Sequence, residues 1–147
     1  MNRRRLLQAA GAMVFIASRP LRAQDKLPSI PSMSSWLAGR APRFERIKLD
    51  LPSIADNGFA VPMKISVAGP FAPGPYVKSI RLFSETNPVP DMAVFDFAQP
   101  LERVEIDSRI RLAGTQQVVA IAEMSDGKLY ASIHEVIVTL AGCMDGT

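Results

Sequence analysis

From Pro42 onward, apolar and polar residues alternate in short runs broken by Pro, Gly, Asn and Asp, the period-2 signature of strands with one buried face. FERIKLDL (Phe44 to Leu51) sets Ile47, Leu49 and Leu51 on one side and predicts a first strand. PSIADNG follows as a turn, with Gly58 available for positive φ. In FAVPMKISV (Phe59 to Val67), Val61, Met63, Ile65 and Val67 alternate with polar residues, and Pro62 points to an edge position or an irregular strand. AGPFAPGPY reads as a long hairpin connection into YVKSIRLFS, after which DMAVFDFA, RVEIDSRIRL and QQVVAIAEM follow at regular intervals. KLYASIHEVIVTL (Lys128 to Leu140) is the longest run, joined to its predecessor through an Asp126-Gly127 hairpin turn. Six to seven such strands predict an all-β protein, an antiparallel β-sandwich, over residues 42–140. Nothing in the pattern supports a parallel α/β sheet.

The ends differ from this body. Residues 24–41 are rich in Pro, Ser and Met, with Trp36 the lone tryptophan, and read as a linker that docks one turn of helix. Trp36 is expected there as a packing plug. Residues 1–23 carry Arg3 and Arg4 ahead of Leu6 and Leu7, then the apolar run AAGAMVFIAS, too short for a permanent membrane helix. This predicts a cleavable export signal ending near Ala23. Arg3-Arg4 followed by two leucines resembles the twin-arginine motif, although Asn2 and Gln8 depart from it; an ordinary secretory signal is the alternative. Either route leads out of the bacterial cytoplasm, to a periplasmic location.

Cleavage would change the charge. The chain has 17 basic and 14 acidic side chains, a net charge of +3, but five of the arginines lie in the leader. The remaining 124 residues carry 12 basic and 14 acidic groups, a net charge of −2. The basic pI therefore belongs to the targeting segment and does not argue for nucleic acid. One domain with one core suits the length.

Conventional catalytic equipment is sparse. His134, the sole histidine, lies mid-strand beside Glu135, where it is expected to face solvent rather than serve a nucleophile. One His and one Cys nine residues apart do not make a metal site, so no metal and no cofactor are expected. Glu105 and Asp107 alternate with Val104 and Ile106 as a solvated strand face. Attention falls on Cys143, the single cysteine, in the tail LAGCMDGT. An exported protein with one cysteine has no internal disulfide to make, which leaves an intermolecular bond or a free reactive thiol. Beyond Leu140 the strand pattern stops, so residues 141–147 are expected to form a flexible arm. Three extended residues carry the Cys143 sulfur on the order of 10 Å from the domain, and Ala141 and Gly142 keep the approach slim.

Three segments carry a family resemblance: PSIADNGFAVPMKISV, with its acidic-Asn-Gly turn and Val-Pro strand; YVKSIRLFSETNPVP, with an Asn-Pro-x-Pro turn; and DSRIRLAGTQQVVAIAEMSDGKLYASIHEVIVTL. From about Pro52 to Cys143 the chain resembles SoxY, the sulfur-carrier subunit of thiosulfate oxidation. The resemblance implies an immunoglobulin-like sandwich that forms a heterodimer with SoxZ, and sulfur intermediates attached covalently to Cys143. It implies a carrier rather than an enzyme. The resemblance further implies a haem enzyme that conjugates thiosulfate to the thiol and a hydrolase that releases sulfate.

The arm departs from the family's Gly-Gly-Cys-Gly-Gly ending. Ala141 and Gly142 precede Cys143, and Met144 and Asp145 follow it. Met144 adds bulk, and both residues lose glycine's access to φ > 0. Asp145 sets an anion two residues from the sulfur, with no Lys, Arg or His between Ala141 and Thr147, which disfavours the thiolate and an approaching anion. Activation is expected to come from partner proteins. The cargo and pathway stay open between the ordinary thiosulfate route and a variant-arm paralog, with an interaction module lacking carrier function as the rival.

Overall fold

The computed structural model describes residues 26–71 and 73–140. One helix, α1 (Pro31–Leu37), precedes eight strands: β1 (Ile47–Asp50), β2 (Ile54–Ala55), β3 (Val61–Val67), β4 (Val77–Ser84), β5 (Asp91–Asp96), β6 (Val104–Ile110), β7 (Gln116–Met124) and β8 (Leu129–Val138). They form two sheets, one of three strands in the order β1-β3-β6 and one of five in the order β2-β8-β7-β4-β5. This is the all-β sandwich that the alternation predicts.

The sheets meet through alternate side chains. Val61, Met63, Ile65 and Val67 of β3 are buried, as are Ile47, Leu49 and Leu51 around β1, and they close on Ile80, Leu82, Val118, Ala120 and Val136 of the larger sheet. The run VVAIA in β7 breaks the alternation because this strand is buried on both faces. Val118, Ala120 and Ala122 face the sandwich core, while Val119 and Ile121 face a second cluster with Phe83, Leu129 and Ala131.

That second cluster is closed by α1. The segment expected as a linker is folded over its described part: Ile30, Met33 and Leu37 are buried against the outer face of the larger sheet. Each contributes about 1.5–3 kcal/mol of apolar burial, enough to seat a helix of 7 residues that has no side-chain N-cap. Pro31 starts it with φ already set, and Ala38 (φ 49°) and Gly39 (φ 83°) end it in the left-handed region. Trp36 lies with its ring centroid 6.0 Å from that of Phe83. The guanidinium carbons of Arg40 and Arg81 each sit 5.0 Å from the Trp36 ring.

Four local expectations change. AGPFAPGPY is not a hairpin connection, because β3 and β4 belong to different sheets and the segment crosses between them. Its start is held by Arg46, whose Nε and Nη2 donate to the Ala68 carbonyl at 3.1 and 3.0 Å. PSIADNG is not simply a turn: Ile54 and Ala55 form β2, which pairs in parallel with Ile137 and Val138, the one parallel pair among the described strands. Gly58 is not among the glycines with positive φ. Pro62 lies in the middle strand of its sheet, yet β1 ends opposite Lys64, so at Pro62 only β6 is a partner and the sheet edge is local. The Asp126-Gly127 hairpin stands as expected, with Gly127 at φ 86° and the Met124 N–H donating to the Lys128 carbonyl at 2.9 Å.

Candidate functional site

The chain leaves the sandwich where β8 ends, and a set of backbone bonds fixes that exit. The Ile137 N–H donates to the Ser53 carbonyl at 2.9 Å, and the Thr139 N–H to the Ala55 carbonyl at 3.1 Å. The Thr139 hydroxyl adds a bond to the Asp56 carbonyl at 3.0 Å. The Gly58 N–H then donates to the Leu140 carbonyl at 2.7 Å, and the Gly58 carbonyl accepts from Leu112 N–H at 2.8 Å. On the other side, the Val138 N–H donates to Thr115 Oγ1 at 3.0 Å. The root of the arm is thus tied to both the Asp56-Asn57-Gly58 turn and the β6–β7 connection.

Side-chain amides brace this frame. Asn57 Oδ1 accepts from the Phe59 N–H at 2.8 Å, a local turn that presents the Gly58 backbone. Asn87, in the Asn-Pro-x-Pro turn between β4 and β5, accepts from Ala113 N–H and donates to the Arg111 carbonyl, both at 2.9 Å. Buried Gln116 donates to Asn87 Oδ1 at 2.9 Å and to the Gly114 carbonyl at 3.1 Å, and its Oε1 accepts from Thr86 N–H at 3.1 Å. A buried amide is tolerated because its polar atoms are paired. Sequence reasoning did not single out Asn87 or Gln116; a polar residue at the start of a strand otherwise buried on both faces was the available signal.

Cys143, together with Ala141, Gly142, Met144 and Asp145, lies outside the described residues, as do Arg3 and Arg4 of the leader. What the structure supplies is their attachment point. His134 is half-buried, not solvent-facing as expected; it stands opposite buried Val118 in the β7–β8 register and so shares the core side of the sheet. It is six residues from Leu140, about 20 Å along an extended strand. Glu105 and Asp107 are exposed on β6, and no cluster of His, Cys, Asp or Glu that would hold a metal occurs among the described residues. A cleft of about 340 Å³ opens between β5 and β6 with Met63, Leu82, Phe95 and Ile110 in its lining, and it shares Asn87 and Arg111 with the bracing network. Among its lining residues there is no histidine or cysteine.

The family model for sulfur oxidation protein SoxY matches residues 34–143, three quarters of the chain, and runs through to Cys143. The chain belongs to the SoxY family. Among solved structures, the sulfur carrier protein SoxY from Chlorobium limicola f thiosulfatophilum is similar at 28% identity and a TM-score of 0.57, covering 74% of this chain and 94% of that one. Two superoxide reductases share the fold alone. The one from Nanoarchaeum equitans is 14% identical with a TM-score of 0.52, covering 64% of this chain and 98% of its own. The neelaredoxin from Ignicoccus hospitalis is 15% identical with a TM-score of 0.50, covering 64% and 80%. No match was found among curated proteins. Membership of the SoxY family places the chain in sulfur oxidation as a carrier-type protein.

Proposed function

We propose that this chain is a periplasmic carrier that holds sulfur intermediates covalently on Cys143 and presents them to partner enzymes, as a heterodimer with a SoxZ-like subunit. The observation that carries the reading is the SoxY match extending through Cys143, joined to a domain whose last described residue, Leu140, is fastened three residues before the thiol.

With thiosulfate as cargo, the Cys143 thiol and the outer sulfur of thiosulfate form an S–S bond. The thiol proton is released and two electrons pass to a haem conjugase. Water then cleaves the bond to the sulfonate in a hydrolase, giving sulfate, two protons and a persulfide anion on Cys143. The remaining sulfane sulfur is oxidised in further steps. The chain itself acts as substrate handle rather than catalyst. Met144 and Asp145 in place of glycines favour a variant client set, because they add bulk and an anion where a narrow enzyme channel would receive the arm. The twin-arginine-like leader with Arg3 and Arg4 supports export to the periplasm.

Intact-mass and peptide mass spectrometry of the protein isolated from its own cells during growth on reduced sulfur tests the reading. Sulfane or sulfonate adducts on the Cys143 peptide are expected, and none in the Cys143→Ser variant.

A further inference from the structure

Among the described residues two arginines are half-buried, Arg46 and Arg81. Arg46 gives its donors to the Ala68 and Pro70 carbonyls. Arg81, on the outer face of β4, has neither a hydrogen bond nor an ion pair within the described part of the chain. Its guanidinium carbon lies 5.0 Å from the Trp36 ring, the same distance as that of Arg40. The two differ in what they bond. Arg40 donates to the Leu37 and Trp36 carbonyls, both at 3.1 Å, and stands 3.8 Å from Glu123. Glu123 is shared with Lys78 at 3.6 Å. Glu123 and Asp96 both lie opposite Ser79 on this face, and neither forms an ion pair with Arg81. Across from Arg81 on β5 is Val94, 46% exposed, and on β7 Ile121, buried beneath α1.

We infer that Arg81, bounded by the Trp36 ring and Val94, is a binding site for a carboxylate carried on a short apolar body. A guanidinium presents several N–H donors and accepts nothing, and half-burial withdraws part of the water that would otherwise satisfy them. A carboxylate matches that fork with two parallel charge-assisted bonds. Cation–π attraction to Trp36 holds the guanidinium in place, so its donors are oriented before a ligand arrives. Val94 supplies an exposed apolar contact beside the charge, which favours a carboxylate with an apolar body over an inorganic anion. The local charge agrees: Arg40, Lys78 and Arg81 face Glu123 and Asp96, which leaves one cation uncompensated. A free short-chain acid and an acidic side chain of another protein offer the same group. The site uses neither Cys143 nor the root of the arm, and it stands whether or not the chain carries sulfur.

The test is an NMR titration of the protein as isolated, with any subunit that co-purifies. Isovalerate is expected to give saturable shifts at the Arg81 Nε–H, the Trp36 indole N–H and the Val94 methyls, half-complete in the millimolar range. Isoamyl alcohol, its neutral analogue, needs at least about tenfold more, and sodium chloride at matched concentration gives no saturable shift. Arg81→Gln raises the half-saturation concentration at least about tenfold and Arg81→Lys severalfold, while Arg109→Gln, exposed on β6 of the other sheet, leaves it unchanged. Unmoved methyl resonances of Met63 and Ile65, both buried in the sandwich core, show that each variant is folded. Half-saturation at lower concentration for isovalerate than for acetyl-valyl-glutamate amide assigns the site to free acids; the reverse order assigns it to an acidic side chain of a protein. Absence of saturable shifts, an equal response to chloride or to the alcohol, or an unchanged titration in Arg81→Gln and Arg81→Lys overturns the assignment.

Discussion

Gly58 holds Leu140: its N–H donates to the Leu140 carbonyl at 2.7 Å, while its own carbonyl accepts from Leu112. One residue of a short turn therefore couples the last described residue before the cysteine arm to the connection between the two sheets. A carrier of this design needs a rigid root, because three residues of reach leave little tolerance for a root that drifts.

Asn87 is the keystone of that root. Asn87→Ala removes the acceptor for Ala113 N–H and Gln116 Nε2 and the donor to Arg111. These groups are part-buried or exposed, and Gln116 keeps its bond to the Gly114 carbonyl, so the loss is about 1 kcal/mol. Urea unfolding is expected to show a loss of that size, and hydrogen exchange to quicken at Leu112 and Gly58 before it quickens in β3.

The helix is part of the fold rather than a tether. Met33→Ala deletes most of a side chain only 1% exposed and is expected to destabilise by about 2–4 kcal/mol, whereas Ser35→Ala on the exposed side stays within about 0.5 kcal/mol. Thermal melts of the two variants check the contrast.

His134 lies on the core side of β8, six residues before Leu140. His134→Gln is expected to leave the iodoacetamide rate of Cys143 unchanged from pH 6 to 8, measured by quenched alkylation and mass spectrometry. A severalfold difference between variant and wild type at any pH in that range would restore an intrachain base.

Asp145 is expected to restrain the thiol. In water a neighbouring unit charge contributes at most about 1 kcal/mol, so Asp145→Asn should raise the alkylation rate at pH 7, by no more than about fivefold. The sign follows from the thiolate being the nucleophile: removing a neighbouring anion enlarges the thiolate fraction. The difference should close above about pH 9.5, where the thiolate dominates in both proteins.

Much of this was legible in residue order. Period-2 alternation marked β3 and the start of β6, and Asp126-Gly127 marked the β7–β8 hairpin. Alternation reports a buried face but not which sheet a strand joins, so the crossing between β3 and β4 was hidden behind a Pro- and Gly-rich stretch that suits a hairpin equally well. One turn of helix was expected in this segment, but its burial against the sheet was obscured because Ile30, Met33 and Leu37 sit among Pro and Ser, a composition shared with linkers. The parallel pairing of Ile54 and Ala55 depends on where β8 ends, a tertiary fact that no local window contains. Cys143 stood out by chemistry alone, whereas Gly58, Asn87 and Gln116 acquire meaning only through partners distant in the chain.

The most direct measurement is peptide mass spectrometry of Cys143 in protein drawn from cells oxidising reduced sulfur, set beside the sulfur-oxidation rate of a Cys143→Ser strain. The carrier account predicts sulfane or sulfonate adducts on the Cys143 peptide and loss of oxidation in the serine strain. An unmodified thiol throughout growth, with undiminished oxidation in Cys143→Ser, would contradict it.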